Sequence, residues 1–580
     1  MLARRLRRAL AGAALACATL VACADRAPTP PADPPGPADH LRLDEAWLVG
    51  THNSYWVDRG HANDAFASGV QESLLDQLLA DHARAIEIDV HPDGERPRRY
   101  RVFHTVPGNS LCDDLGDCLR PLRLFHAALP RHEPLHVIVE LKKFTGPSFD
   151  AEHTVDDLEA IFEESLGPWL FRPRDLLALC DPEGADPDPD LAACVETHGW
   201  PTIAALRGRF LVTVLGNFDD LLPEAKGTLD WAHFTLRGDL RARSAFSMAS
   251  SWKIQWDTLP EKIRAELSRE DLARALRRVV WLQVEDTADP NLAPFLARNG
   301  MVRMGGAQSV ADQLERIALG AQVLQGDSPW IQAHDRGPAQ PLRPFDADAG
   351  EIVEPGERLV LDPLAAGETA SALHDVPASS AARWATLPSV GGEADAIPCL
   401  VAAASADATS HTSFAVCRDK VRAGRTPGAP LGSGDPDAEK LRLRLRICRD
   451  GACAWTDVRA EDVAPGASPD ETAALATQLE IGLALGLEVE PQGGGACARA
   501  LVATDVDVQG DPVWLPVGVP ECFPAPLAAQ GLLAVAGTRP GALFAGTRLW
   551  IDARAAQPEL QLHPVTDGAA VAFDADGERP

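Results

Sequence analysis

The chain has 580 residues, 46% hydrophobic and 24% charged, which is ordinary globular composition and too long for one core, so two or three domains are expected. Its formal net charge of -30 repels nucleic acid and anionic membrane surfaces, except at local patches or through bridging cations. The densest basic run of the mature region, Arg96 to Arg101, is too short to argue for DNA or RNA, so no nucleic-acid partner is expected.

In chain order, Arg4, Arg5, Arg7 and Arg8 precede a short apolar stretch, Ala9 to Ala22. A bilayer needs about 20 apolar residues, so this segment reads as a signal peptide. Its end, Leu20-Val21-Ala22-Cys23, resembles a bacterial lipobox, in which Cys23 is lipidated; an ordinary signal peptide that happens to hold a cysteine is the other reading. Residues 1–23 are thus a signal peptide or lipobox, and residues 24–40 form a Pro/Ala-rich linker suited to tethering an enzyme above a membrane. The expected location is the bacterial cell envelope, as a lipoprotein on the outer membrane or cell surface, or else secretion. A membrane surface is the partner implied by the lipid anchor. Besides Cys17 and Cys23 there are ten cysteines, falling as near neighbours: Cys112 and Cys118, Cys180 and Cys194, Cys399 and Cys417, Cys448 and Cys453, Cys497 and Cys522. None has the C-x-x-C spacing of a zinc site, and export favours disulfides. Sequential pairing is the simplest arrangement, and the spacing leaves other connectivities open.

Residues 41–335 alternate short apolar runs with helical patterns. Strands are expected at Ala46 to Gly50, Ala85 to Val90, Arg101 to His104, His136 to Leu141, Phe210 to Leu215, Val279 to Val284, Met301 to Met304 and Ala321 to Leu324. Helices are expected at Leu74 to Ala83, Val155 to Leu166, Arg269 to Arg278 and Val310 to Ala318. Repeated β-then-α order with continuously apolar strands argues for a buried parallel sheet, and about eight strands fit a closed (β/α)8 TIM-like barrel. An open doubly wound sheet is the alternative, but no Gly-rich phosphate loop follows the first strand. From about residue 340 helical periodicity fades. Leu441 to Ile447 alternates apolar residues with arginine at period 2, and Phe414 to Val416, Ala500 to Thr504 and Leu549 to Asp552 also read as strands. Residues 345–580 are therefore expected to form one or two β-rich, disulfide-stapled C-terminal domains, with a loop at Thr426 to Pro436. This half has no comparable acid/base cluster and is expected to be separable from the chemistry.

Polar residues gather at the C-terminal ends of the first strands, where barrel enzymes place their sites. His52 and Asn53 follow the first strand. Glu87 and Asp89 lie two apart on the second, so they share a face and repel each other unless a cation intervenes. His104 ends the expected third strand, and Glu140 lies near the end of the next. Three carboxylates and an amide oxygen are hard ligands that suit calcium or magnesium better than zinc or copper. Two histidines beside them can exchange protons near neutral pH. A lone histidine or glutamate at a strand end is more often structural, and the weight rests on the joint pattern. His91, His126, His132, His136 and His153 lack such support and read as surface or packing histidines.

Ordered blocks resemble the calcium-dependent phosphoinositide-specific phospholipase C family, in its bacterial branch. They are G-T-H-N-S-Y at Gly50 to Tyr55, Asp76-Gln77-Leu78 followed by A-R-A-I-E-I-D-V, Val102-Phe103-His104 before a loop holding Cys112 and Cys118, and His136 to Lys142. Trp200-Pro201-Thr202 with Arg207-Gly208-Arg209, and Gly320 to Val323 with Asp327, continue the match over roughly residues 44–330. The resemblance implies a phosphodiesterase that cleaves phosphatidylinositol-type phospholipids to diacylglycerol and cyclic inositol phosphate. It implies His52 and His104 as acid/base residues with Glu87 sharing general-base duty, and Asn53, Glu87, Asp89 and Glu140 as ligands of Ca2+. Lys142 could contact phosphate, with a solvated strand-end lysine as the bland alternative, and Arg303 is expected to bind substrate. The chain departs from the family late in the barrel: Val302-Arg303-Met304-Gly305-Gly306-Ala307 keeps one arginine of V-R-T-R-A-D, and Gln325-Gly326-Asp327-Ser328-Pro329 stands where relatives read S-T-D-Y-P. These late positions bear on head-group choice. Two rivals remain. A glycerophosphodiester phosphodiesterase shares the barrel and an E-x-D strand, but usually opens with H-R-G. A non-catalytic surface lipoprotein would have no need of the whole set.

Overall fold

In the computed structural model the described residues up to Gly326 form nine strands: β1 (Ala46–Thr51), β2 (Ala85–Pro92), β3 (Tyr100–Val102), β4 (Leu135–Leu141), β5 (Phe210–Gly216), β6 (Phe246–Ala249), β7 (Val279–Val284), β8 (Met301–Met304) and β9 (Val323–Gly326). The structure describes residues 39–57, 73–79, 83–105, 107–142, 148–216, 226–249, 261–284, 287–289, 292–327, 342–344, 358–361, 369–375, 381–390, 397–404, 412–420, 441–508, 512–535, 542–551, 555–557, 563–564 and 570–572. All the strands named except β3 run parallel in sequence order, and β1 pairs with both β2 and β9. The sheet therefore closes into a barrel. At the seam only glycine fits at position 50, because a Cβ there would stand 2.8 Å from Gln325 Cγ and 2.9 Å from Ala85 Cβ.

The pleat sorts the side chains. Ile86, Ile88, Val90, Val137 and Val139 pack outward against Leu119, Leu122, Phe125, Leu158 and Phe162 of the surrounding helices. Ala85, Ile138, Leu211, Trp281, Met301 and Val323 fill the barrel interior, where His136 stacks on Trp281 at 4.1 Å and its Nε2 lies 2.8 Å from Thr213 Oγ1. That histidine is held neutral by burial, as a packing histidine should be. Helix starts follow capping chemistry. Thr154 and Ser268 accept bonds from the amides of Asp157 and Asp271 in reciprocal capping boxes.

Two strand expectations are corrected. The segment expected as the barrel's third strand, Arg101 to His104, is instead β3, a short antiparallel arm on β2, with Val102 opposite Val90; His104 lies beyond its end. The barrel position is taken by β4, and the strand that completes the circle, β6, was not anticipated. Its run Phe246-Ser247-Met248-Ala249 is four residues long and broken by a serine, too brief for periodicity to register.

The C-terminal half forms two antiparallel sheets, of seven and eight strands, among the described residues. Trp384, Leu485, Leu487 and Val489 of one face Leu400, Ala402, Phe414 and Val416 of the other. The ten cysteines pair in sequence order, Cys112–Cys118, Cys180–Cys194, Cys399–Cys417, Cys448–Cys453 and Cys497–Cys522. The last three join residues directly opposite on neighbouring strands. Leu387, Ala484, Ala503 and Val506 of this half share a core with the helix Leu115–Ala128 of the barrel, and from Gly36 onward barrel and sandwich form one compact unit. Cys23, residues 24–38 of the linker and the Thr426 to Pro436 loop lie outside the described residues. Among the described residues no helix is long and apolar enough to cross a membrane.

Candidate active site

Strand β2 enters the barrel mouth with Glu87, Asp89 and His91 on its inward face, as period-2 geometry requires. Strand β4 pairs beside it with Glu140 opposite Asp89. Glu87, Asp89 and Glu140 are buried, and each offers an oxygen within 4.8 Å of the others. Three carboxylates this close hold together only with compensation. Arg303, from β8 across the barrel, donates to Glu87 Oε1 at 2.6 Å and also bonds Gln283 and Gln325. Lys142 reaches Glu140 at 2.8 Å and Asp89 at 3.6 Å. The Tyr55 hydroxyl donates to Asp89 Oδ2 at 2.8 Å. Two cations thus face three acids. Burial pushes Glu87 up, but the charges of Arg303 and His52 outweigh it and hold the group down at about 2. Burial dominates at Asp89, which Lys142 does not offset, and its pKa rises to about 8. Burial likewise raises Glu140. Asp89 Oδ1 is buried without a hydrogen-bond partner, an orphan of the kind that signals a missing ligand or ion.

The loop after β1 brings His52 and Asn53 to the same mouth. Asn53 takes the left-handed conformation at φ 46°, which asparagine tolerates better than most residues. Its amide donates to Glu87 Oε2 at 3.2 Å. Ser54 is stitched to β2 in both directions, its amide to Glu87 O at 3.0 Å and its hydroxyl oxygen accepting from Glu87 N at 2.8 Å. His52 Nδ1 lies 2.7 Å from Asp327 Oδ1, and Nε2 lies 3.8 Å from Glu87 Oε2. Asp327 is held in turn by the Gln308 side chain, which donates to Oδ2 at 2.7 Å. Burial would lower the His52 pKa, but the Glu87 charge and the Asp327 bond raise it. With Nδ1 committed to Asp327, Nε2 faces the carboxylates.

Strand β3 runs back toward the mouth, and half-buried His104 follows two residues past its end. His91 fixes that turn. Its Nε2 lies 3.0 Å from Phe103 O and 3.1 Å from His104 O, and its ring stacks on Phe103 at 3.7 Å. Burial lowers the His91 pKa to about 4, so at neutral pH it is a neutral donor. The chain beyond His104 then pairs with the chain beyond His52: Leu111 N donates to Tyr55 O at 2.8 Å, and Trp56 bridges Ser110. The loops carrying the two histidines are therefore laced together.

Comparison with solved structures finds likenesses that each cover only part of the chain, among them a scytalido-glutamic peptidase, 10% identical with a TM-score of 0.19, covering 36% of this chain and 91% of that one. A calcium-dependent phosphoinositol-specific phospholipase C from a Gram-negative Pseudomonas is 17% identical with a TM-score of 0.40, covering 53% of this chain and 97% of that one. A Ca2+-dependent phosphatidylinositol-specific phospholipase C from Streptomyces antibioticus is 21% identical with a TM-score of 0.37, covering 52% and 98%. A barrel assigned to the glycerophosphodiester phosphodiesterases, from Galdieria sulphuraria, is 9% identical with a TM-score of 0.27, covering 50% and 97%. No protein-family model matches the chain, and no curated protein matches it.

The residues singled out from sequence are thus placed as follows. Glu87, Asp89 and Glu140 form one cluster, Asn53 and His52 adjoin it through Glu87, and His104 is held on the adjoining loop. Lys142 and Arg303 are both engaged with the carboxylates themselves. Three contributors escaped the sequence reading. Asp327 stood inside the final-strand block with no partner assigned. Tyr55 closed the first motif unremarked. His91, a buried packing histidine that also holds the turn before His104, shares the parity of Glu87 and Asp89, and that parity is its signal in the sequence. The cluster fits a divalent cation: its donors are hard oxygens, one buried oxygen is unpartnered, and two acids share a single lysine.

Proposed function

We propose that the chain is a calcium-assisted phosphodiesterase that acts on phosphatidylinositol-type lipids. The observation that carries this reading is the buried trio Glu87, Asp89 and Glu140, with its proton-holding Asp89, beside the His52–Asp327 pair. Asn53, Glu87, Asp89 and Glu140 would hold Ca2+, which when bound supplies positive charge against the phosphate oxygens.

The remaining chemistry belongs to the side chains. The attacking group is a hydroxyl of the substrate, the inositol 2-hydroxyl, already beside the phosphorus. As its oxygen bonds to phosphorus, its proton passes to one of the two histidines. The bond from phosphorus to the glycerol oxygen breaks, and that oxygen takes a proton from the other histidine, so diacylglycerol leaves and a cyclic inositol phosphate remains. Asp327 orients His52 through Nδ1 and favours its protonated form. His91 fixes the backbone of His104. Arg303 keeps Glu87 charged, and Lys142 holds Asp89 and Glu140 in register. For location, the N-terminal arginines, short apolar stretch and Leu20-Val21-Ala22-Cys23 sequence support export and lipid attachment at Cys23. Such an anchor would keep the enzyme at a membrane surface.

Turnover on phosphatidylinositol and on glycerophosphodiesters, with calcium and after chelation, tests the reading. Calcium-dependent release of diacylglycerol from phosphatidylinositol is expected. Turnover confined to glycerophosphodiesters would reassign the substrate, and activity unchanged by thorough chelation would remove the metal. No turnover on either would leave a ligand-binding barrel.

A further inference from the structure

We propose that the C-terminal sandwich sets the position of the loop carrying His52 and Asn53, acting through a buried arginine, Arg418; this rests on the reading of that loop as catalytic. Arg418 lies on the strand Ser413–Lys420 of the sandwich. Its Nη1 donates to Asp76 Oδ1 at 2.7 Å and its Nη2 to Asp76 Oδ2 at 2.9 Å, with further bonds to Ser73 Oγ at 2.9 Å and Pro388 O at 3.0 Å. The two charged side chains are 1% and 0% exposed.

Asp76 belongs to the barrel helix Leu74–Leu79. Ser73 closes its N-terminus, accepting from Asp76 N at 3.1 Å and donating to Asp76 Oδ2 at 2.7 Å. The next residue, Gln77, donates through Nε2 to Ser54 O at 2.7 Å. Ser54 directly follows His52 and Asn53 and is bonded twice to Glu87. One turn of helix therefore joins the sandwich arginine to the catalytic loop through adjacent residues. Six residues are too few for a helix to stand by its own hydrogen bonds, so its place is dictated by what it packs on. Leu75 of the same helix is pressed against Gly482 of the sandwich, where a Cβ would come within 2.2 Å of Leu75 Cδ1. A two-pronged Arg–carboxylate bond is directional where apolar packing is not. The sandwich is thus part of the catalytic scaffold, where the sequence suggested a detachable half.

The test uses the full chain with Arg418→Met, and Arg123→Met as control. Arg123, on the helix Leu115–Ala128, makes a separate polar barrel–sandwich contact, to Val506 O at 2.7 Å and Asp505 at 3.0 Å, and its bonds go to the sandwich rather than to the helix that holds Ser54. Amide hydrogen exchange at residues 52–57, kcat against KM, and the pH profile of kcat are measured well below each melting temperature. Arg418→Met should speed exchange at 52–57 by about tenfold, lower kcat by about tenfold or more with KM little changed, and move the pH limb governed by His52. Arg123→Met should change none of these. Should Arg418→Met fail to fold, Arg418→Lys keeps the charge, loses the two-pronged bond and carries the same measurement. Unchanged exchange at 52–57 in a folded Arg418 variant, or an equal rise in Arg123→Met, overturns the proposal. Exchange needs no substrate, so a wild-type protein without phosphodiester turnover would sink the functional reading while the coupling was still decided.

Discussion

Calcium added to metal-stripped protein at pH 7 should displace close to one proton. Burial raises Asp89 to about 8 despite Lys142, whereas Arg303 and His52 hold Glu87 at about 2. At pH 7 a group titrating near 8 is about 90% protonated, and a metal ligand must be ionised, so binding should release about 0.9 proton. At pH 9 the release should fall to about 0.1. Glu140, also raised by burial, can only add to the count. Apparent calcium affinity should then rise about tenfold per pH unit up to about pH 8 and level off. Stability follows the same linkage. The folded-state pKa of Asp89 lies above its unfolded value, so its contribution to the metal-free fold is fully present below the unfolded pKa, near 4, and is lost as pH rises through about 8. The chelated protein should therefore melt progressively lower across that window, and the stabilisation by calcium should widen. Isothermal titration calorimetry at pH 7, in two buffers of different ionisation enthalpy, counts the protons. Asp89→Asn should reduce the Asp89 share of the release to near zero and weaken binding, since it removes a formal charge. Calcium binding with no proton release at pH 7 in the wild type would refute the reasoning.

Other expectations follow from the same geometry. His52→Ala and His104→Ala should each lower turnover at least about a hundredfold with the fold intact, and near-normal turnover in either would remove that residue from the acid/base pair. Asp327→Asn should cost about ten- to a hundredfold in kcat and shift the His52 limb of the pH profile downward, because the Asp327 carboxylate helps to hold that pKa up; an unshifted limb would mean the pair does not operate in turnover. His91→Gln, which keeps a side-chain N–H donor, should retain more activity than His91→Phe, which keeps only the stacking on Phe103. Equal losses in the two variants would show that the bonds to the Phe103 and His104 carbonyls do not matter.

Much of the barrel was legible because a strand buried on both faces leaves an uninterrupted apolar run, as in β4 and β5. The carboxylates were legible for a related reason: Glu87 and Asp89 break such a run at period 2, and chance or packing rarely places two acids so. What failed was read from runs too short to carry periodicity. Tyr100–Val102 has three residues, and its antiparallel course depends on the turn that precedes it. Phe246–Ala249 has four and a serine. Supporting residues were hidden by distance along the chain.

Closure of the barrel explains why that distance is so large. Joining β1 to both β2 and β9 brings the last strands beside the first, so Arg303 meets Glu87 across 216 residues and Asp327 meets His52 across 275. The reactive groups cluster early in the sequence, on β1, β2 and β4, while the groups that tune them come from β8 and the end of β9. Arg303 and Asp327, late in the barrel sequence, therefore set the charge of Glu87 and the orientation of His52. Arg303, expected to meet substrate, spends its guanidinium on Glu87, Gln283 and Gln325. Its loss would leave a buried carboxylate uncompensated at a cost of about 3–5 kcal/mol, and Glu87 would then rise toward the protonated state that Asp89 already occupies. The early acids and the late arginine are one electrostatic unit, divided between the two ends of the barrel sequence and reunited by its closure.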